Sequence, residues 1–163
     1  MLKAVLTFCS ILLLFSVGYA QTEGKVVIKA NTEFSIQLDS SVYSDKNAVG
    51  DDIKFVLADD INNDADKIPK GSIIFARIVN IEKISPKNDT AKVCVMFDFI
   101  KKGEEFITLE AAIVSLEPNP EAVKLTASAV YSGGTTLSLK GKDIQFDKGK
   151  IFKAKVKKDI TSN

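Results

Sequence analysis

The chain has 163 residues, with 22 Lys and Arg against 21 Asp and Glu, no histidine and two cysteines. Near-neutrality argues against a nucleic-acid partner, because phosphate backbones reward a clear basic surplus, and the single arginine, Arg77, leaves no guanidinium cluster for bidentate recognition of phosphate. Without histidine the usual general base and the commonest zinc ligand are both missing, which excludes Ser-His-Asp, Cys-His and His-based metal chemistry.

Residues 1–20 read as a cleavable export signal. Lys3 supplies a positive start, Ala4 to Val17 is apolar apart from small polar or sulfur residues, and Gly18 and Ala20 are small residues placed for a signal peptidase. The apolar run is short for a membrane span and is followed by polar Gln21, Thr22, Glu23 and Gly24, so no transmembrane anchor is expected after cleavage. Cys9 lies inside the run after Leu6-Thr7-Phe8, without the small residues a lipidation site needs. The expectation is an exported protein, periplasmic or extracellular, with a signal peptide at 1–20 and one β-rich domain at 21–163. Cleavage leaves 163 − 20 = 143 residues and removes Lys3, so 21 basic residues face 21 acidic ones. Cys94 is then the only cysteine, and no intramolecular disulfide can form. It sits in the strand-like run Lys92 to Phe97, where a buried inert thiol is expected.

Beyond the signal, alternation at period two recurs between turn residues. Phe34, Ile36 and Leu38 share one face opposite Ser35 and Gln37; Ile107, Leu109, Ala111 and Ile113 share another. Ile73 to Ile81 and Val93 to Ile100 are apolar on both faces, which predicts central strands covered on both sides. Strands are predicted near 25–29, 32–39, 52–58, 72–83, 91–101, 104–115, 135–146 and 150–157. Asn62 to Lys67 and Ser85 to Asp89 read as polar loops, and Ser132 to Thr135 as a turn. Pro120 to Tyr131 fits two structures. Asn119 and Pro120 suit the start of a short helix, whereas Val123, Leu125, Ala127, Ala129 and Tyr131 would line one face of a strand. The predicted fold class is all-β, a single compact β-barrel or barrel-like sandwich of about eight mostly antiparallel strands with at most one short helix, after the signal helix.

Three segments share one plan: Ile28 to Leu38, Ile68 to Ile78 and Phe146 to Val156 each open on a turn that launches an alternating strand. Pro69 and Gly71 stand where a type I turn beginning at Ile68 prefers them, Gly149 matches Gly71, and Asn31 takes that place in the first copy. The order Thr32 to Leu38, Ala48-Val49-Gly50-Asp51 before Ile53 to Ile61, and Ile68-Pro69-Lys70-Gly71-Ser72 before Ile74 to Val79 resembles the β-barrel domain of the TrbI/VirB10-like proteins of bacterial secretion channels. It is more similar still to small secreted bacterial β-barrel proteins of uncharacterised function, whose closing strand Asp143 to Ile160 resembles. The resemblance implies a barrel and an exported location. It carries no catalytic or binding residue, and the membrane helix, Pro-rich linker and helical antenna of a channel subunit have no counterpart in the sequence.

Candidate sites are sparse. No serine has a lysine at the Ser-x-x-Lys spacing. A pair of catalytic carboxylates, assembled in space, leaves no spacing to read. Asp60, Asn62, Asp64 and Asp66 alternate like the first half of a calcium loop, but Ala65 stands where such a loop needs glycine and Gly71 where it needs glutamate. Lys153, Lys155 and Lys157 would share one strand face, either attracting an anionic surface component or blunting an exposed edge strand. Asn88-Asp89-Thr90 matches a glycosylation triplet that is common by chance. The sequence therefore points to no enzyme, and to no catalytic, cofactor-binding or metal residue. It predicts a non-enzymatic cell-envelope or secreted barrel with a structural or protein-binding role, its partner an envelope protein or an anionic surface component. The loops Ser40 to Asp51 and Asp59 to Lys70 would make the contact. The alternatives are a carrier of a small apolar ligand in the barrel interior, or an accessory component of a secretion system. A barrel filled by Phe34, Ile36, Phe55, Leu57, Phe75 and Phe97 would leave a carrier no cavity.

Overall fold

The computed structural model describes residues 25–63, 66–119, 122–128 and 134–161. The signal segment 1–20 lies outside these residues, as do Ala129 to Gly133, and with them part of the segment read as helix or strand. All described regular structure is β. The strands are β1 (Val26–Ile28), β2 (Glu33–Leu38), β3 (Val42–Tyr43), β4 (Asp52–Leu57), β5 (Ile61–Asn63), β6 (Asp66–Ile68), β7 (Ile73–Glu82) and β8 (Thr90–Lys102). They continue with β9 (Glu105–Thr108), β10 (Ala111–Glu117), β11 (Lys124–Ala127), β12 (Thr135–Lys140), β13 (Gln145–Phe146), β14 (Ile151–Val156) and β15 (Ile160–Thr161). The main sheet runs β10-β14-β2-β4-β7-β8-β12-β11, with every neighbouring pair antiparallel and β9 added to the far end of β8. It curls into a nearly closed barrel. Three two-stranded ribbons, β1–β15, β3–β13 and β5–β6, complete the fold.

Four strands are launched by one device. In Lys29–Thr32, Ala48–Asp51, Pro69–Ser72 and Asp147–Lys150, the fourth N–H donates to the first carbonyl at 3.2 Å in every copy. The third residue has positive φ: Asn31 at 66°, Gly50 at 95°, Gly71 at 87° and Gly149 at 94°. A positive φ at that position is type II geometry, one residue later than the type I turn the sequence predicts. The third N–H then donates to a carbonyl on a neighbouring strand, and that same residue donates back to the fourth carbonyl. The partners are Val156, Ile78, Leu57 and Leu38. The β2 and β14 turns each clasp the end of the other strand; the β7 turn likewise clasps the end of β4, and the β4 turn clasps β7 at Ile78, within the strand. The segment β14-β2-β4-β7 is thereby pseudo-symmetric about the β2–β4 contact. The sequence repeat reveals three of these copies; the fourth, Ala48–Asp51, shares only the glycine. Replacing Gly71 by Val forces a β-branched residue into positive φ, and we expect a loss of about 1–2 kcal/mol in urea titrations. Asn31→Gly should change little, since both residues tolerate that conformation.

Each launched strand buries its second, fourth and sixth residues: Phe34, Ile36 and Leu38; Ile53, Phe55 and Leu57; Ile74, Ala76 and Ile78; Phe152, Ala154 and Val156. Phe55 packs edge-on against Phe97 and Phe152, with centroids 5.6 and 5.9 Å apart, and Phe152 meets Phe146 at 5.4 Å. Near the seam between the two ends of the sheet, β10 and β11, a side chain links β10 to β12. The Ile113 N–H donates to the Oγ1 of Thr135, itself only 2% exposed, at 3.0 Å.

Several elements differ from the prediction. The strand expected over 104–115 breaks at Leu109 and Glu110, where the chain leaves β8 to join β14 as β10. The 135–146 strand likewise ends at Lys140 and resumes as the two-residue β13. Lys124–Ala127 is a strand on β12, so the described part of 120–131 takes the strand alternative. There Asn119 caps no helix. Its side chain accepts from the Val123 N–H and donates to the Val123 carbonyl, both at 2.9 Å, pinning an irregular bend. Asn62 to Lys67, read as a loop, belongs largely to the β5–β6 hairpin, in which Ile61 and Ile68 pair and are both buried.

Candidate functional site

Among the described residues, the barrel interior is tightly filled around its central phenylalanines. Between Leu38, Phe55, Val95, Leu137, Phe146 and Phe152 the free space amounts to about 10 Å³, roughly the lower limit for one water molecule. Phe34, Ile36, Phe55, Leu57 and Phe97 fill the interior as the alternation predicts. Phe75 does not. It lies between buried Ile74 and Ala76 and points outward.

Its outward neighbours result from a bulge. Phe75 pairs with Phe99 and Ala76 with Phe97, which leaves Asp98 as an extra residue in β8. Strict alternation would put Phe97 and Phe99 on one face. The bulge instead keeps Phe97 and Ile100 inside and turns Asp98 and Phe99 outward. Asp98 then meets Arg77 at 3.1 Å. Phe99 stacks on Phe75 with centroids 4.7 Å apart, and Phe106 of β9 stands edge-on to Phe99 at 5.2 Å while remaining 58% exposed. The Lys54 ammonium lies 5.7 Å from the Phe75 centroid, and that of Lys101 lies 5.7 Å from the Phe106 centroid. Ammonium groups at this range are attracted by the negative ring faces. The apolar surface continues through partly exposed Ile73 and Val56 to a hollow of about 390 Å³ bordered by Gln37, Lys70 and Ile151. The prediction that Ile73 to Ile81 and Val93 to Ile100 are covered on both sides is therefore corrected. The inner face is covered by the barrel, whereas part of the outer face is an open aromatic platform.

The predicted contact loops are tightly built. In Ser40 to Asp51, the Asn47 side chain accepts from the Tyr43 N–H and donates to Asp51, both at 2.8 Å, leaving Val49 exposed at the tip. Ser44, read as a loop residue, is fully buried: its Oγ donates to Asp143 at 2.8 Å and accepts from the Ile144 N–H at 3.0 Å. In Asp59 to Lys70, the Asp60 carboxylate contacts Lys67 at 2.7 Å and accepts from the Lys70 N–H at 2.8 Å. The side chains of Asp64 and Asp66 lie outside the described residues, and no cluster of three metal-ligating side chains occurs among those described. Because Asp60 already has two donors, we expect millimolar calcium to leave the melting temperature unchanged; a rise would restore the calcium reading of Asp60 to Asp66.

The Asp60 carboxyl is held below its ordinary pKa by its hydrogen bond from Lys67 and then by the Lys70 N–H. Asp51 is lowered by Asn47 and the Ala48 N–H, and Asp89 by Thr90 and Lys140. A depressed folded-state pKa contributes stability that is present above the ordinary value and is lost as pH falls through the lowered one. Urea midpoints should therefore fall below about pH 4, and Asp60→Asn should make that fall shallower. An equally steep fall in the variant would remove Asp60 from the acid response.

The lysine stripe is also reassigned. β14 is paired on both sides, by β10 and β2, so it is no exposed edge. Lys153 lies 3.5 Å from Glu117 and Lys155 3.6 Å from Glu33, which makes the stripe part of a cross-strand charge ladder. Cys94 is buried, as expected of an inert thiol. Comparison of the chain with models of known protein families and with curated proteins returns no match.

Proposed function

We propose that this is an exported, non-enzymatic β-barrel protein that works by binding another protein. The observation that carries this reading is the aromatic platform of Phe75, Phe99 and Phe106. It is apolar surface that the barrel interior does not use: Phe106 is exposed and Phe75 and Phe99 are partly so, and apolar side chains gathered on an outer face favour an interaction site. The filled interior also weighs against carriage of an apolar ligand, which needs a cavity of hundreds of Å³. The export signal, the absence of histidine and the balanced charge support an envelope or extracellular setting without catalysis. The test is cross-linking of the mature protein in envelope extracts. Recovery of a defined protein adduct is expected, and repeated failure to form any would overturn the reading.

A further inference from the structure

Building on that protein-binding reading, we propose that the free edge of β9 takes up an extended segment of the partner as an added strand, through the main-chain groups of Phe106 and Thr108. β9 pairs with β8 alone. The two ends of the main sheet, β10 and β11, face each other across the seam, whereas the second edge of β9 pairs with no strand of that sheet. Register fixes which groups lie on that edge. The Leu109 N–H donates to the Asp98 carbonyl at 3.0 Å, and Ile107 and Glu105 follow at alternate positions, opposite Ile100 and Lys102. Bonded and unbonded pairs alternate along an antiparallel ladder, so Phe106 and Thr108 turn their N–H and C=O groups away from β8. A row of unpaired main-chain groups is a template for another strand, and β9 has neither a proline nor a bulge to interrupt it.

The same residues border a hollow of about 350 Å³, with Glu105 to Thr108 as one wall and Lys158 to Thr161 as the other. Glu110 ties the two walls together, since its carbonyl accepts from the Lys157 N–H at 2.9 Å and its carboxylate meets Lys158 at 2.5 Å. Main-chain geometry and the hollow together define the occupant. Donors and acceptors that recur at every second residue are matched by an extended backbone, whereas a helix spends its own main-chain groups internally. The wall at Lys158 to Thr161 leaves no place for a sheet behind the added strand. A second copy of this chain therefore fits less well, because its β9 arrives backed by its own β8. Recognition through the main chain also makes the edge tolerant of the segment's sequence, and it is independent of the balanced charges around it.

The probes are a short synthetic peptide alternating Thr and Val and the same peptide with every amide N-methylated. They are titrated against the mature protein, Thr108→Pro, which removes an N–H that β8 does not use, and Thr108→Ala, which keeps it. Circular dichroism checks that each variant folds, and the N-methylated peptide tests the main-chain bonds without any variant. In the protein alone, the Phe106 and Thr108 amides are expected to exchange freely while that of Ile107 is protected. The Thr–Val peptide should bind saturably, protect both free amides, weaken about tenfold in Thr108→Pro and bind Thr108→Ala as it binds the wild type. The N-methylated peptide should not bind. Protection of Phe106 and Thr108 without peptide, absence of saturable Thr–Val binding, binding of the N-methylated peptide, or equal binding by Thr108→Pro would overturn the proposal. So would a dimer of the mature protein that Thr108→Pro dissociates, which would give the edge to a second copy. If Thr108→Pro keeps the cross-linked partner of the wild type, this edge is wrong and protein binding stands; if the wild type has no partner, the wider reading falls.

Discussion

Replacing Phe55 with Ala is expected to lower the unfolding free energy by about 3–5 kcal/mol, a large share of the roughly 5–15 kcal/mol that stabilises a domain. Phe55 is 2% exposed, sits on β4 beside the central β2–β4 contact, and packs against Phe97 of β8 and Phe152 of β14, each two strands away in the sheet. Strands laddered on both sides resist inward collapse, so removal of the ring leaves a cavity as well as lost apolar burial. Phe55→Leu, which keeps more of the volume, should cost no more than about 1–2 kcal/mol. Urea unfolding of the three proteins decides the matter. A loss below about 1 kcal/mol for Phe55→Ala would mean that the interior repacks freely and that the rings do not define it.

The second large effect is expected at the seam. Thr135→Val preserves shape but leaves the Ile113 N–H without its acceptor, and an unsatisfied buried donor costs about 1–3 kcal/mol. Thr135→Ser should recover much of that loss, because the acceptor is restored and only a methyl group is missing. Amide exchange gives the sharper reading. In Thr135→Val the Ile113 amide should lose protection by more than the global destabilisation explains, while amides on β2 and β4 follow the global change. Uniform loss would show that the hydroxyl acts by packing alone.

The positions of the main strands along the chain were readable because their inward residues alternate with polar ones. Phe34, Ile36 and Leu38, or Phe152, Ala154 and Val156, can face a core in only one register. The launching turns were readable where Gly71, Gly149 or Asn31 supplied a residue that accepts positive φ. The break at Leu109 and Glu110 was hidden, because alternation continues through it while the chain changes partner strand. The aromatic platform was hidden for a related reason. Period two assigns Phe97 and Phe99 to one face, and only pairing with β7 reveals the extra residue Asp98 that separates them. The apolar outer residues of β7 and β8 offered a signal, but it reads equally as a strand covered on both sides.

Residue type and spacing identify an all-β protein with an interior of alternating aliphatic and phenylalanine side chains, in a chain that contains no histidine. Those conclusions depend on residue type and spacing, which are local. Tertiary structure placed β14 inside the sheet with Lys153 and Lys155 paired, tied β10 to β12 through Thr135, and brought three phenylalanines together on the outer face. Each of these depends on which distant strands become neighbours and in what register, and a one-residue bulge is enough to carry a ring from the core to the surface.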